Sequence, residues 1–251
     1  MIAILGRGIQ RRNETDPVED ISSWDLTEDL ELCDKNSAHL PVRAPVDDDS
    51  PFCMVGGGNA NLSAGLILAS ERPGPKVMVC AYGGRSQYLE SIGAPSESEV
   101  MSQQLESIMR ENDDAYDLTA EIVVWKRYRQ LPVQSNTRQE LLNIFNLARE
   151  RGLKRIGLVT VGVHVPRTAT YIAKHLSVYP KYRELTPILL ESEEILLHAN
   201  SNENLRVNAM RTSKSFARNW EREAVGISKI VRDVYGDAKP LVAAAESKAT
   251  S

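Results

Sequence analysis

The side chains best suited to chemistry lie in the stretch Val159 to Thr168, V-T-V-G-V-H-V-P-R-T, where His164 and Arg167 follow an apolar run. Imidazole is the group most easily poised between its charged and neutral forms near neutral pH, which suits His164 to proton transfer. Pro166 marks the first turn of a helix, and a cation such as Arg167 there opposes the helix dipole, so an anionic group is expected beside it. Glu99 is the carboxylate to pair with His164 as acid and base. Its spacing from Ser96, S-x-x-E, is also that of a capping box, which explains it structurally. Ser135, Asn136 and Thr137 place two hydroxyls and an amide at another helix start. They either serve that helix start or also line a cleft, and Thr137 with Glu140 repeats the capping-box spacing. Arg7 in G-R-G, and Gly83, Gly84 and Arg85 in Y-G-G-R, follow two further apolar runs. Glycine lets a backbone turn tightly or approach a ligand, so these turns and arginines could hold negative charge. The plain alternative for Arg7 is a solvated side chain on a surface turn, and for His164 a structural histidine.

The elements that would position these groups can be read from the apolar runs. Ile2 to Leu5, Phe52 to Val55, Lys76 to Ala81, Glu121 to Trp125 and Ile156 to Val161 have the length and composition of buried strands, with Thr186 to Leu190 as a sixth. Helical spacing follows most of them, notably in Pro95 to Met109, in the segment after Thr137 and in the segment after Pro166. Alternation of buried strands with helices predicts a Rossmann-like three-layer α/β/α fold with a mainly parallel sheet of five or six strands. In such sheets ligands bind at the carboxyl ends of strands. Residues 10–50 are polar and irregular and read as an inserted loop, with a short helix expected from Trp24 to Cys33. G-G-G-N-A-N after Val55 is either an anion-binding helix start or a plain glycine turn. Asn202 to Tyr235 reads as an interrupted helix, its apolar side running through Val207, Met210, Ala217, Trp220, Ala224, Ile227 and Val231. The expected division is therefore a Rossmann-like domain over 1–190, a helical C-terminal extension over 191–236 and a flexible tail over 237–251.

Bulk composition excludes several functions. The 251 residues are 42% hydrophobic and 25% charged with a net charge of -4, the profile of a globular protein with no basic stretch for a nucleic-acid backbone. No window approaches the roughly 18 apolar residues of a membrane span, and the short apolar start is broken by Gly6 and Gly8 before it reaches signal-peptide length. A cytoplasmic protein without a membrane anchor is expected. Three cysteines, far apart and without a C-x-x-C pair, argue against a disulfide framework or a thiolate metal site, and no metal is expected.

Five pieces, in order, resemble the YdcF/SanA/ElyC-like proteins: L-G-R-G-I from Leu5, Y-G-G-R from Tyr82, S-E-V-M from Ser98, S-N-T from Ser135 and V-T-V-G-V-H-V-P-R-T from Val159. Together they span most of residues 1–176. The resemblance implies that Glu99, Ser135, Asn136, Thr137, His164 and Arg167 surround one cleft on a Rossmann-like sheet, with Arg7, Gly83 and Gly84 lining it. Gln139 and Glu140 depart from the glutamate and asparagine that usually follow S-N-T in that family. The resemblance also implies a nucleotide-like ligand, such as S-adenosylmethionine, or a role linked to the cell envelope. The expected function is binding of a small anionic or nucleotide-like metabolite, with hydrolase or transferase chemistry on a phosphate-containing substrate. A non-catalytic ligand sensor is the alternative.

Overall fold

A computed structural model of the chain describes residues 1–13, 15–32, 53–71, 76–80, 92–111, 120–124 and 136–232. Five strands form one sheet: β1 (Ile2–Ile4), β6 (Lys76–Cys80), β7 (Ala120–Val124), β8 (Arg155–Thr160) and β9 (Thr186–Glu191). All four pairings are parallel, and the spatial order is β7-β6-β1-β8-β9. Counting only these strands, the order is third, second, first, fourth, fifth. This is the doubly wound order of a Rossmann-like sheet, and it reverses between β1 and β8.

The register explains how the sheet is covered. Ile2 of β1 sits level with Met78 of β6 and Gly157 of β8. Successive side chains of a strand face opposite ways, so Ala3, Leu5, Val79, Ile156 and Leu158 enter one core while Ile4, Met78 and Cys80 enter another. The first core is closed by α3 (Thr137–Glu150) and α4 (Val165–Val178), through Leu141, Phe145 and Tyr171 among others. The second is closed by α1 (Gly58–Ser70) and α2 (Glu97–Glu111), through Leu62, Leu66, Met101 and Leu105. Gly65 lets α1 lie close to β1, since a Cβ there would fall 2.6 Å from Ile4 Cδ1.

The segment between β1 and α1 differs from the sequence expectation. Trp24 to Cys33 was expected to contain a helix, but its described part forms β3 (Trp24–Leu26) and β4 (Leu30–Leu32). β3 pairs antiparallel with β2 (Ile9–Arg11), and β4 with β5 (Cys53–Val55). The physical cause is a period of two: Trp24 and Leu26 are fully buried, while Asp25 between them faces Arg12 at 2.8 Å. Phe52 to Val55 was expected as a strand of the parallel sheet, and the described part, β5, belongs instead to this small outlying pair.

Beyond β9 the chain forms α5 (Ser192–Ala199), α6 (Asn204–Arg211) and α7 (Lys214–Val231). The break between α6 and α7 is set by Ser213, whose hydroxyl caps α7 by accepting from Phe216 N at 3.0 Å. α7 does not bury the apolar side anticipated from its spacing. Ser215, Asn219, Glu223, Gly226 and Ile230 face inward, while Trp220 and Val231 are 48% and 73% exposed. A helix that buries its polar seam must find partners for it: Asn219 donates to Ser215 O within the helix at 2.8 Å, and Glu223 meets His164 and Arg167 beyond the carboxyl end of β8. Among the described residues no helix is long and apolar enough to cross a membrane.

Candidate functional site

At the reversal point two turns leave the sheet side by side. After β1 comes Gly6-Arg7-Gly8, and after β8 come Val161 and a short 3-10 turn, Gly162–His164. The chain after β1 turns through Gly8 at φ +107°, a conformation that favours glycine. Its amides are aimed at carboxylates. Arg7 N and Gly8 N both donate to Glu97 Oε1, and the Gly6 amide favours the ionised form of Glu140. Glu97 opens α2, and Glu140 sits in the first turn of α3; both are buried. The Arg7 guanidinium donates to the carbonyls of Gly56 at 3.0 Å and Val55 at 2.8 Å, tying the turn to the end of β5.

Burial raises the pKa of Glu97 above the carboxylate range, although the two amides and the charge of Arg7 favour its ionised form. Burial also raises Glu140, well above the ordinary value, with the neighbouring charge of Glu97 adding to the effect. The two carboxyls therefore form a buried pair that disfavours double ionisation.

The second half of the site is a linear chain of three side chains. Thr137 Oγ1 lies 3.1 Å from His164 Nε2, and His164 Nδ1 lies 3.1 Å from Glu223 Oε1. Thr137 is held at the head of α3 by Asn136, whose side-chain oxygen accepts from Gln139 N at 3.0 Å. His164 is fixed from below by its carbonyl, which accepts from Thr168 Oγ1 at 3.0 Å. Arg167 Nη1 reaches Glu223 Oε2 at 3.6 Å. Gly226 lies against that guanidinium, where an added Cβ would stand at contact distance, 3.4 Å from Arg167 Nε.

Burial lowers the pKa of His164, and the charges of Arg7 and Arg167 act in the same direction against the opposing pull of Glu223. Burial works against ionisation of Glu223, yet its hydrogen bond with His164 and the guanidiniums of Arg167 and Arg7 hold its carboxyl below the usual range. An ionised Glu223 accepts only, so Nδ1 carries the imidazole proton and Nε2 is left to accept from the Thr137 hydroxyl. Hydroxyl, neutral imidazole and orienting carboxylate stand in the order required to activate a nucleophile or a bound hydroxyl.

Several sequence expectations need correction. Of the two roles expected for Glu99, the structure shows the cap. Its Oε2 accepts from Ser96 N and Ser96 Oγ, both at 2.7 Å, and Glu99 N donates to Ser96 Oγ at 3.2 Å, which is the reciprocal capping box. The second anticipated box does not form as expected: Asn136 caps α3, and Glu140 turns inward to the glycine turn. The amides of G-G-G are already used, Gly56 N by Asp29 O, Gly57 N by Glu28 O and Gly58 N by Thr27 Oγ1. Of the two readings of that stretch, the plain turn holds. The structure links Thr137 to His164 directly and His164 to Arg167 through Glu223, with Asn136 next to Thr137 and the charge of Arg7 acting on His164 and Glu223. Gly83, Gly84, Arg85 and Ser135 lie outside the described residues.

Glu97, Glu140 and Glu223 are the site residues that sequence reasoning missed. Glu97 is two positions from the capping glutamate that drew attention, and Glu140 had a sufficient local explanation. Glu223 gave the one usable signal, as a carboxylate spaced with Ser215, Asn219 and Gly226 along one face of a long helix. Glu193 adds a fourth buried carboxylate, accepting from Gly162 N at 2.9 Å with Oε2 and 3.0 Å with Oε1. Among the described residues no group of three or more His, Cys, Asp or Glu side chains is placed to hold a metal ion.

Comparison with known protein families, with characterised proteins and with solved structures finds no match for this chain.

Proposed function

We propose that this chain binds a small anionic or nucleotide-like metabolite where the strand order reverses, and that it acts there as a hydrolase or transferase on a phosphate-containing group. The observation that carries this reading is the Thr137–His164–Glu223 chain at the carboxyl edge of the sheet, with Arg7 and Arg167 beside it. His164 serves as general base, Glu223 fixes its tautomer, and Thr137 either presents its own hydroxyl or passes a proton to and from a bound one. Arg167 supplies positive charge next to the reacting group. The motif resemblance to YdcF/SanA/ElyC-like proteins supports the same cleft and a nucleotide-like ligand.

Native mass spectrometry of protein purified from cells would identify a retained small molecule, and a panel of phosphate esters and anhydrides would test turnover. His164→Ala is expected to lower turnover by about 10²- to 10⁴-fold with ligand affinity nearly intact. Equal turnover by wild type and His164→Ala across the panel would remove the catalytic reading.

A second reading, a ligand sensor without turnover, is favoured by the enclosure of the reactive groups. His164 is 4% exposed and Thr137 6% exposed, and both imidazole nitrogens already have protein partners. Retention of one metabolite together with no turnover of it by wild-type protein would select this reading.

A further inference from the structure

The turn after β1 is built around an anion. Arg7 N and Gly8 N are consecutive donors to one carboxylate oxygen of Glu97, an arrangement of backbone amides that forms an anion-binding concavity. The glycines are explained by that anion. A Cβ at Gly6 would fall 2.8 Å from the carboxyl carbon and both oxygens of Glu97, and Gly8 holds a positive φ. The concavity lies at the reversal point of the sheet, where a Rossmann-like fold receives the charged part of its ligand.

The group in this concavity is an expensive one to keep there. Glu97 is 6% exposed and faces a second buried carboxyl, Glu140, whereas the Arg7 guanidinium is engaged by the carbonyls of Val55 and Gly56. Burying two like-charged groups together is unfavourable unless one stays protonated. An external phosphate or carboxylate reaching the same amides would relieve that repulsion.

We propose that Glu97 and the anionic group of the ligand compete for the Arg7 and Gly8 amides, so that anion binding displaces Glu97 and is coupled to proton uptake by the carboxyl it frees. This deepens the reading of an anionic metabolite at the reversal point and rests on it. The proton follows from the loss of the amides, which are what favour the ionised form of an already raised carboxyl. The charged and titratable groups that act on it are Arg7 on the turn and Glu140 on α3, and Arg167 at the head of α4 acts in turn on Glu140.

The test is calorimetric titration of the full chain with sulfate, whose charge is constant between about pH 5.5 and about pH 8, in buffers of different ionisation enthalpy. Wild-type affinity should rise about tenfold for each unit of falling pH where the carboxyl titrates, with a proton taken up on binding. Glu97→Gln, which cannot hold the amides with a charge, should bind sulfate at least about tenfold more tightly at the upper pH and lose the dependence on pH. Sulfate bound equally well by wild type and Glu97→Gln, without proton uptake, overturns the exchange while leaving anion binding standing. No binding by either protein at any pH overturns both. Because the pH dependence and proton uptake are read on wild type, an unfolded variant does not rescue the proposal.

Discussion

Glu223 Oε1 lies 3.1 Å from His164 Nδ1 although the two residues are 59 positions apart, so the last described helix completes a site whose other parts come from the turns and helix starts at the edge of the sheet. Replacing Glu223 by Gln removes the charge and keeps the shape. Because Glu223 raises the imidazole pKa against burial, Glu223→Gln should lower it further, as read by an NMR titration of His164. A pKa that stays put would show that the pair is not electrostatically linked. In an active enzyme the same change should reduce turnover by about 10²- to 10⁴-fold with little effect on KM.

Glu140 makes stability fall as the pH rises. Its pKa is raised well above the ordinary value, by burial first and by Glu97 second. The folded state therefore keeps a proton that the unfolded chain releases above about pH 4.3. Stability from this group is fully present below that pH and is lost as the pH rises through the folded value. Glu140→Gln should flatten this loss in urea unfolding at a series of pH values, giving a protein more stable than wild type near neutral pH. A parallel offset at every pH would show that Glu140 is ionised throughout.

His175 has the opposite effect at the acid side. Burial pushes its pKa down to about 4, while its hydrogen-bonding contact with the Arg138 carbonyl acts in the other direction. The ring is stacked on Tyr171 and edged by Phe145. The unfolded imidazole takes up a proton near pH 6.5 that the folded one refuses, so stability is fully present above that pH and falls between about 6.5 and about 4, by up to about 3 kcal/mol. His175→Phe should remove this acid-side slope, which urea midpoints measured across that range would show.

Gly57 sits at φ +87° directly before α1, and a Cβ there would fall 2.2 Å from Val161 Cγ1. Left-handed backbone costs a side chain about 1–2 kcal/mol, and the overlap with the turn after β8 adds to it. Gly57→Ala should destabilise the fold by about 2–4 kcal/mol, measured by chemical denaturation. A neutral result would mean that the two turns at the sheet's edge do not touch.

The parallel sheet was legible because its strands are short apolar runs, the central ones buried on both faces, as in Ala3 and Ile4, which enter opposite cores. The outlying strands were not, because three-residue strands such as Trp24–Leu26 show only one cycle of alternation and a nearby leucine at helical spacing imitates a helix. His164, Thr137, Arg7 and Arg167 could be picked from sequence since each follows a strand or opens a helix. The carboxylates could not. Glu97, Glu140 and Glu223 are placed by tertiary packing, and each stands in a helix where glutamate needs no special explanation. Glu99 shows the reverse case, a residue whose local cap was legible from its spacing with Ser96 alone.

The inward polar seam of α7 also sets an order of assembly. The ribosome releases the glycine turn, α2, α3 and His164 long before Lys214–Val231 emerges, and chains begin to fold from the amino-terminal end. A nascent chain lacking α7 has the sequence for all five parallel strands but no carboxylate to align the imidazole. The His164–Glu223 contact therefore forms only after this helix has emerged, and a chain truncated before Lys214 should lack it even where its sheet has formed.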